Sequence, residues 1–268
     1  SPQTGDVQFS DSTWHTLLVG GENGGGNSIY ALDITNPSYT NETNLASSVL
    51  WEFTDADMGL SYSTPQIAQI SQTATGTTAR FAVFFGNGYN SSTNRSVLYA
   101  LDPRTGTVLR KIDLCSAAPS ACNTLLPQGL SSVSLGQKDG LATQPMTSVY
   151  AGDLQGNLWA VNIADSNPNN WTVRLLFQAR DPLGFAQPIT TPPVIGLNPN
   201  YPRVPGLFAM FGTGQLLIQT DMVSKQTQSI YGVLDKPSSS STYSRSNLQQ
   251  QTLTQTATIP AYLTTTSN

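Results

Sequence analysis

The sequence contains a single histidine, and this limits the acid–base chemistry that the chain can support. His15 lies in the segment TWHT, at the start of an apolar run. A serine hydrolase would need this histidine beside a nucleophilic serine, yet the G-x-S-x-G turn that often presents such a serine does not occur. We therefore predict that His15 is structural, that Trp14 beside it is a packing residue, and that the chain carries no catalytic residue.

Acidic residues at two places could contribute to a metal or sugar site. Glu52, Asp55 and Asp57 in WEFTDAD could bind a cation or flank a sugar, although carboxylates at a strand end are more often solvated loop groups. The calcium template D-x-[DN]-x-[DN]-G is met only in fragments, Asp139 in GQKDG and Asp153 in AGDLQGN. The carboxylate of Asp153 is expected to accept hydrogen bonds from its own turn. Both residues are weak calcium candidates, and the sequence predicts no metal site.

Two further segments have spacings that suggest binding or cross-linking. The Gly-rich segment at 20–27, GGENGGGN, lacks the Lys-Ser/Thr of a phosphate-binding loop and is predicted to be a hairpin. Cys115 and Cys122, in CSAAPSAC, are predicted to close a small surface loop as a disulfide, with two free thiols as the alternative. Zinc is disfavoured because there is no other cysteine and His15 is remote. No cofactor-binding residue is predicted.

The composition favours an all-β chain with polar, weakly charged surfaces. Only 10% of the 268 residues are charged, against about a quarter in typical soluble domains, while 22 Gly and 17 Pro recur at short intervals. That punctuation is typical of many short strands and turns. The net charge is −4 and no Lys/Arg cluster occurs, so the sequence offers no electrostatic footprint for nucleic acid. No apolar stretch reaches the length of a membrane helix.

The chain repeats a four-strand plan about every 60 residues. An apolar run that ends in Gly occurs four times, and these glycines keep nearly constant spacing: Gly20, Gly86, Gly152 and Gly212. A Y/W-A-L/V-D/N motif follows in three copies, YALD, YALD and WAVN, and a closing apolar strand completes each unit. Repeated units of four short strands predict the blades of a β-propeller, in which neighbouring blades bury each other's faces. The motif glycines are expected to let the backbone turn.

The predicted fold class is therefore all-β, a β-propeller of four-stranded antiparallel blades. About four blades are visible, over 1–55, 56–115, 125–180 and 185–235, and we expect them to be part of a larger ring. No helix is predicted. The Ser/Thr/Gln-rich segment 236–268 is interpreted as an extension in which LTQTATI can add one further strand.

Several of these motifs, taken together and in order, resemble the PilC/PilY family of type IV pilus assembly and tip proteins. They are WHTLLVGG, IYALDIT, VLWEFTD, FGNGYNS, YAGDLQGNLW, QPIT, FGTG and QSIYGVLD, spread over residues 14–235. Quinoprotein-type repeats are similar in style and more distant. The resemblance implies the C-terminal β-propeller of a large exported bacterial protein at the cell surface, pilus tip, outer membrane or periplasm. It also implies a calcium loop before YAGD, but only Asp139 of that loop is matched here.

The resemblance further implies a non-enzymatic module that supports pilus extension, twitching motility and surface attachment through protein contacts. The implied partners are minor pilins or a pilus-tip complex, a host surface receptor, and the N-terminal region of the same parent protein. The loops at 21–27, 37–44 and 90–96 are expected on the rims. Two alternatives stay open. A quinone-dependent dehydrogenase would need an Asp base, a metal and stacking aromatics around an axial pocket. A carbohydrate-binding propeller would need exposed aromatics, with Trp51, Trp159 and Trp171 as candidates that are also expected to be packed between blades.

Overall fold

A computed structural model shows an all-β chain in which four antiparallel sheets follow one another as blades. This confirms the predicted fold class. The structure describes all residues except 1, 39–40, 73–78, 142–143, 201–202, 237–239, 256–262 and 266–268.

Each blade is built from strands that are consecutive along the chain. Blade 1 contains β1 (Gln3–Gln8), β2 (Trp14–Gly21), β3 (Ile29–Asp33) and β4 (Val49–Phe53). Blade 2 contains β5 (Gln66–Gln72), β6 (Ala79–Gly86), β7 (Val97–Leu101) and β8 (Val108–Asp113). Blade 3 contains β9 (Ser134–Gly136), β10 (Ser148–Gly152), β11 (Asn157–Asn162) and β12 (Thr172–Gln178). Blade 4 has three strands, β13 (Val194–Leu197), β14 (Leu207–Gly212) and β15 (Ile230–Asp235).

The segment after blade 4 returns to blade 3. Strand β16 (Tyr243–Ser244) pairs in parallel with β12 and extends that sheet outward. Strands β17 (Leu253–Gln255) and β18 (Leu263–Thr265) form a separate antiparallel pair. The first three residues of LTQTATI are thus a strand, and the remainder lies outside the described residues.

Short helical turns interrupt the connections, so the expectation of no helix is wrong in detail. A one-turn helix, α1 (Glu42–Ala46), follows Asn41, whose side chain accepts the backbone N–H of Asn44 at 2.9 Å and caps the helix. Five 3-10 turns span Leu114–Ser116, Pro119–Ala121, Pro168–Asn170, Gln219–Val223 and Arg245–Asn247. Among the described residues, none of the helices has the length and apolar character needed to cross a membrane.

The central strand β7 is buried on both faces because blade 2 lies between blades 1 and 3. In β7, Val97, Tyr99 and Leu101 pack toward blade 1. The alternate residues Leu98 and Ala100 pack toward blade 3. A strand covered on both sides needs a continuous apolar run rather than a polar alternation, and VLYAL provides one.

Two of the four motif glycines, Gly86 and Gly152, are required by close packing rather than by a backbone turn, which corrects the sequence interpretation. A Cβ on Gly86 would lie 2.5 Å from the carbonyl oxygen of Leu130, where the chain enters blade 3. A Cβ on Gly152 would lie 2.2 Å from Ile189, at the entry to blade 4. At Gly212 in blade 4, nothing lies within 4 Å. The repeat therefore keeps a glycine where the chain crosses to the next blade.

The described blades form an open arc. Strand β1 packs beside β5, and β9 packs beside β13, but the sheets do not close into a ring. One face of blade 4 packs on blade 3 through Phe211 and Tyr231. The opposite face exposes Val194, Met210 and Ile230, the last to 85%. Blade 4 thus presents an apolar face to solvent.

Candidate functional site

The first strands of the four blades surround a cleft of about 700 Å³ at the axis of the arc. Its polar lining residues are Asp6, Gln66, Gln69, Ser134 and Gln144. Its apolar lining residues are Trp14, Ile67, Ala68, Phe81, Val133, Leu135, Met146, Pro192, Pro193 and Ile195. Among the described lining residues, Asp6 is the one titratable side chain, and its carboxylate accepts the Thr16 hydroxyl at 2.7 Å. The cleft therefore combines amides and apolar surface with very little charge.

Three glutamines of the cleft have unused hydrogen-bonding capacity. Within the described part of the chain, the side chains of Gln66, Gln69 and Gln144 form no hydrogen bond. Each primary amide offers two N–H donors and an acceptor oxygen. These groups are available to a ligand that enters the cleft.

Trp14, which the sequence predicts to be a packing residue, lies at the cleft and packs on one ring while most of it stays exposed. It is the first residue of β2 and is 58% exposed. Its indole packs on Phe81 of blade 2 in a T-shaped arrangement with ring centroids 5.9 Å apart. Its position at the end of the strand leaves most of this aromatic side chain open to solvent.

His15 is held by neighbours on both ring nitrogens. Its Nδ1 lies 2.6 Å from Asp33 Oδ2, its Nε2 lies 2.8 Å from the Thr13 hydroxyl, and its ring stacks on Phe9. Burial acts to raise the pKa of Asp33, but hydrogen bonds from Thr35 and His15 outweigh it and the pKa is lowered. No serine is hydrogen-bonded to the ring among the described contacts, so this arrangement ties blade 1 together.

The three acidic residues of WEFTDAD do not form one group, and Lys111 forms ion pairs with two of them. Lys111 Nζ lies 2.6 Å from both Asp55 Oδ1 and Asp57 Oδ2. Burial acts to raise the pKa of each carboxyl, but hydrogen bonds from Lys111 outweigh it, so both pKa values are lowered. Glu52 is exposed and pairs across the strands with Tyr30 instead. A lysine ammonium thus occupies the position that a bound cation would need.

The loop before YAGD does not fit a calcium ion. The side-chain oxygen of Gln137 accepts the backbone N–H groups of Asp139 at 2.7 Å and Leu141 at 2.9 Å. That oxygen is engaged in closing the loop, and Asp139 is the one carboxylate of the sequence GQKDG. Among the described residues, no three His, Cys, Asp or Glu side chains are grouped so that they could hold a metal.

Asp153 is fully buried and accepts five hydrogen bonds. Its Oδ1 accepts the backbone N–H groups of Gln155 and Asn157, each at 2.9 Å. Its Oδ2 accepts the Asn157 amide at 3.0 Å, the Trp159 indole N–H at 2.8 Å and the Ser96 hydroxyl of blade 2 at 3.2 Å. Burial raises the pKa of this carboxyl, and these donors oppose the shift. Asp153 thus accepts hydrogen bonds from its own turn, as the sequence predicts, and a further one from Ser96 of the neighbouring blade.

The three remaining tryptophans are buried between blades rather than open to a sugar. The indole N–H of Trp51 donates to Pro103 O, that of Trp159 to the Asp153 carboxylate, and that of Trp171 to Asp165 O.

The Gly-rich loop at 20–27 connects β2 to β3 and carries the Glu22 carboxylate, which accepts the Ser28 N–H at 3.2 Å.

Cys115 and Cys122 form a disulfide with Cα atoms 5.6 Å apart, which confirms the predicted pairing.

The candidate site was missed because its residues are distant in sequence. Asp6, Gln66, Ser134 and Ile195 belong to four different repeats, and no local motif joins them. The available signal was the equivalent position of these residues in the first strand of each unit, since first strands line the axis of a propeller.

Fold and site together define an open β-propeller whose axial cleft is polar but almost uncharged, and whose described residues contain no metal-binding cluster. The family model of the PilY1 beta-propeller domain matches residues 1–266, and the chain belongs to this family.

Relatives and one solved structure agree with that assignment. The chain is 34% identical over 245 residues to the type IV pilus biogenesis factor PilY1 homolog of Xylella fastidiosa, covering 86% of this chain and 16% of that protein. It is 31% identical over 286 residues to the PilY1 factor of Pseudomonas aeruginosa, covering 94% and 22% respectively. It matches the crystal structure of the P. aeruginosa PilY1 C-terminal domain with a TM-score of 0.81 and 28% identity, over 100% of this chain and 57% of that one. The chain thus spans about a fifth of the curated relatives.

Proposed function

We propose that this chain is a non-catalytic binding module of a type IV pilus biogenesis protein, and that it acts through contacts with other proteins. The observation that carries the proposal is the family match over residues 1–266, together with relatives that are named type IV pilus biogenesis factors. Since the chain covers only about a fifth of those relatives, we assign to it one part of their work: support of pilus extension, and through it twitching motility and surface attachment.

The disulfide supports the proposal that the protein is exported from the cytosol. Disulfides persist in oxidising compartments such as the periplasm and the cell surface, and are rare in the cytosol. The bond between Cys115 and Cys122 closes a connection between blades 2 and 3. We propose that the module works at the bacterial surface, at the pilus tip, at the outer membrane or in the periplasm.

One rim of the arc supports a role in protein binding. Neighbouring strands within each blade are antiparallel. The connections between the second and third strands of the four blades therefore all lie at the same end of the arc. The loops at 21–27 and 90–96 therefore share this rim, whereas the loop at 37–44, of which residues 39–40 are not described, lies at the other end. The blade 4 connection at 213–229 joins the first rim and exposes four large apolar side chains: Leu216, Ile218, Met222 and Val223.

An exposed apolar surface of this kind is typical of a protein interface. The loop that carries it is held in place, because the Gln226 amide donates to Asp181 Oδ2 at 3.3 Å and to Ala186 O at 2.7 Å. We propose that this rim binds minor pilins, a pilus-tip complex or a host surface receptor. The open face of blade 4, with Met210 and Ile230, is assigned to another part of the same parent protein.

Counting surface pili by electron microscopy tests both the role and the rim. Deleting this segment from the gene should lower the pilus number, and a plasmid copy should restore it; normal pili after deletion would remove the pilus role. The rim is tested by replacing Met222 and Val223 with lysine, which should also lower the number. A matched control, Val108→Lys, changes an exposed apolar residue of an outer strand and should have no effect. Equal pilus numbers in the wild-type strain, the Met222/Val223 variant and the Val108→Lys variant would show that the rim is not the contact surface.

A further inference from the structure

We propose that the axial cleft binds a neutral carbohydrate, with Trp14 covering the apolar face of a sugar ring and the cleft glutamines bonding its hydroxyls. This site is separate from the rim and does not depend on the pilus role. Three properties of the cleft identify the class of ligand: its unpaired amides, its exposed indole and its lack of cationic groups.

The polar groups of the cleft match hydroxyls rather than ions. Gln66, Gln69 and Gln144 present amides that make no side-chain hydrogen bond within the described residues. A primary amide both donates and accepts, and a hydroxyl does the same, so each glutamine can bond one or two sugar hydroxyls. Ser134 adds a further hydroxyl to the lining.

The aromatic pair supplies the apolar part of the site. Trp14 is 58% exposed and packs on Phe81 in a T-shaped arrangement. Ligand sites usually combine aromatic walls with a few polar groups that fix orientation. Sugar rings carry C–H groups on one face and hydroxyls around the edge. The C–H face can pack on the indole while the hydroxyls bond to the glutamine amides.

The charge of the lining selects neutral over acidic sugars. The part of the lining that the structure describes contains no Lys, Arg or His, and its one titratable group is the Asp6 carboxylate. A uronic or sialic acid would find no counter-ion among these residues and would be repelled by Asp6. The volume of about 700 Å³ lies within the range of about 300–1,000 Å³ found for small-molecule sites. We therefore expect a short neutral oligosaccharide.

The four tryptophans make the test direct, because only Trp14 is exposed. Trp51, Trp159 and Trp171 are each at most 8% exposed, so acrylamide quenching of intrinsic fluorescence reports mainly on Trp14. The full chain is titrated with maltotriose, cellotriose, chitotriose and mannotriose, and with trigalacturonic acid as the acidic counterpart. At least one neutral trisaccharide should reduce the quenching constant about twofold or more, and the acidic one should not.

Calorimetric titration of variants then locates the site. Gln66→Ala and Gln144→Ala should each weaken binding about 3- to 10-fold, as expected for the loss of one hydrogen bond. Trp14→Ala should abolish binding. The matched controls, Gln249→Ala and Phe185→Ala, change exposed residues of the same types away from the cleft and should bind normally. Because Gln144 is exposed, its variant is expected to fold, and a thermal melt checks each protein.

Three outcomes would overturn the proposal. The first is that no neutral trisaccharide protects Trp14 at tens of millimolar. The second is that trigalacturonic acid, or a neutral Gln/Ser peptide of similar size, protects it equally well. The third is that binding occurs but is unchanged in the cleft variants.

Discussion

Replacing Asp153 by Asn should destabilise the chain strongly, because the carboxylate is surrounded by donors alone. An Asn side chain keeps one oxygen, which can still accept the backbone N–H groups of Gln155 and Asn157. Its NH₂ group would then point at three former partners of Oδ2. The Ser96 hydroxyl can rotate and accept, but the Trp159 indole N–H has no acceptor function and is left unpaired.

One N–H of the Asn157 amide would also lose its acceptor, because the other bonds of this amide oppose a flip. Its Nδ2 donates to Ala121 O at 3.1 Å, and its Oδ1 accepts from Gln178 at 3.2 Å. Two buried N–H groups without an acceptor, at about 1–3 kcal/mol each, give an expected loss of about 2–6 kcal/mol in the free energy of unfolding. Asp153→Ala should cost at least as much, because it removes every acceptor and adds a cavity.

Urea unfolding, followed by circular dichroism at pH 7, measures this loss. Glu52→Gln is the matched control: it makes the same change of carboxylate to amide on an exposed strand residue and should alter the free energy by less than about 0.5 kcal/mol. A loss below about 1 kcal/mol in Asp153→Asn, with an unchanged denaturant slope, would refute the reasoning. It would mean that the carboxyl is protonated in the folded chain, or that the network rearranges without cost.

Three further predictions concern an ion pair, the disulfide and the blade crossings. Lys111→Met should lower stability at neutral pH and leave it nearly unchanged in strong acid. The pKa values of its two carboxylate partners are lowered below 3.8, so the stability that they contribute is lost as pH falls below that value; a pH-independent loss in urea titrations would contradict this. Replacing Cys115 and Cys122 together by Ser should cost about 2–3 kcal/mol, from the closure entropy of so short a loop, and wild-type protein in reductant should show the same shift in its thermal melt. Gly86→Ala should cost about 1–3 kcal/mol because its Cβ would meet a backbone carbonyl, whereas Gly212→Ala has open space and should be near neutral; equal costs would contradict the crossing argument.

The fold could be predicted because the repeat is encoded locally. Each unit contains its own strands and its own Gly-terminated apolar run, and three of the four contain the aromatic motif, so the spacing of Gly86 and Gly152 already marks successive blades. The physical reason given for those glycines was wrong, since contact with the next blade is a tertiary property. The short helix α1 was missed because one turn capped by Asn41 has no hydrophobic period to detect.

Site residues were harder to predict because their environments are set across blades. Lys111 comes to Asp55 from another blade, which turned an apparent cation site into an internal ion pair. Trp14 and Trp159 have similar sequence contexts, an apolar strand in each case, yet one is 58% exposed and the other fully buried. What separates them is how far a neighbouring blade covers the position, which is a property of the tertiary structure.

The same contrast explains why the axial cleft, rather than any single motif, is the feature with ligand-binding potential. Between blades 2 and 3, the Asp153 carboxylate accepts five hydrogen bonds. In the cleft, by contrast, the amides of Gln66 and Gln69 have no protein partner among the described residues, and the Trp14 indole is largely exposed. The cleft therefore offers polar and aromatic groups that the described contacts of the fold do not use. Binding is the function that such groups can serve without any titratable chemistry, and the fluorescence of Trp14 makes it measurable.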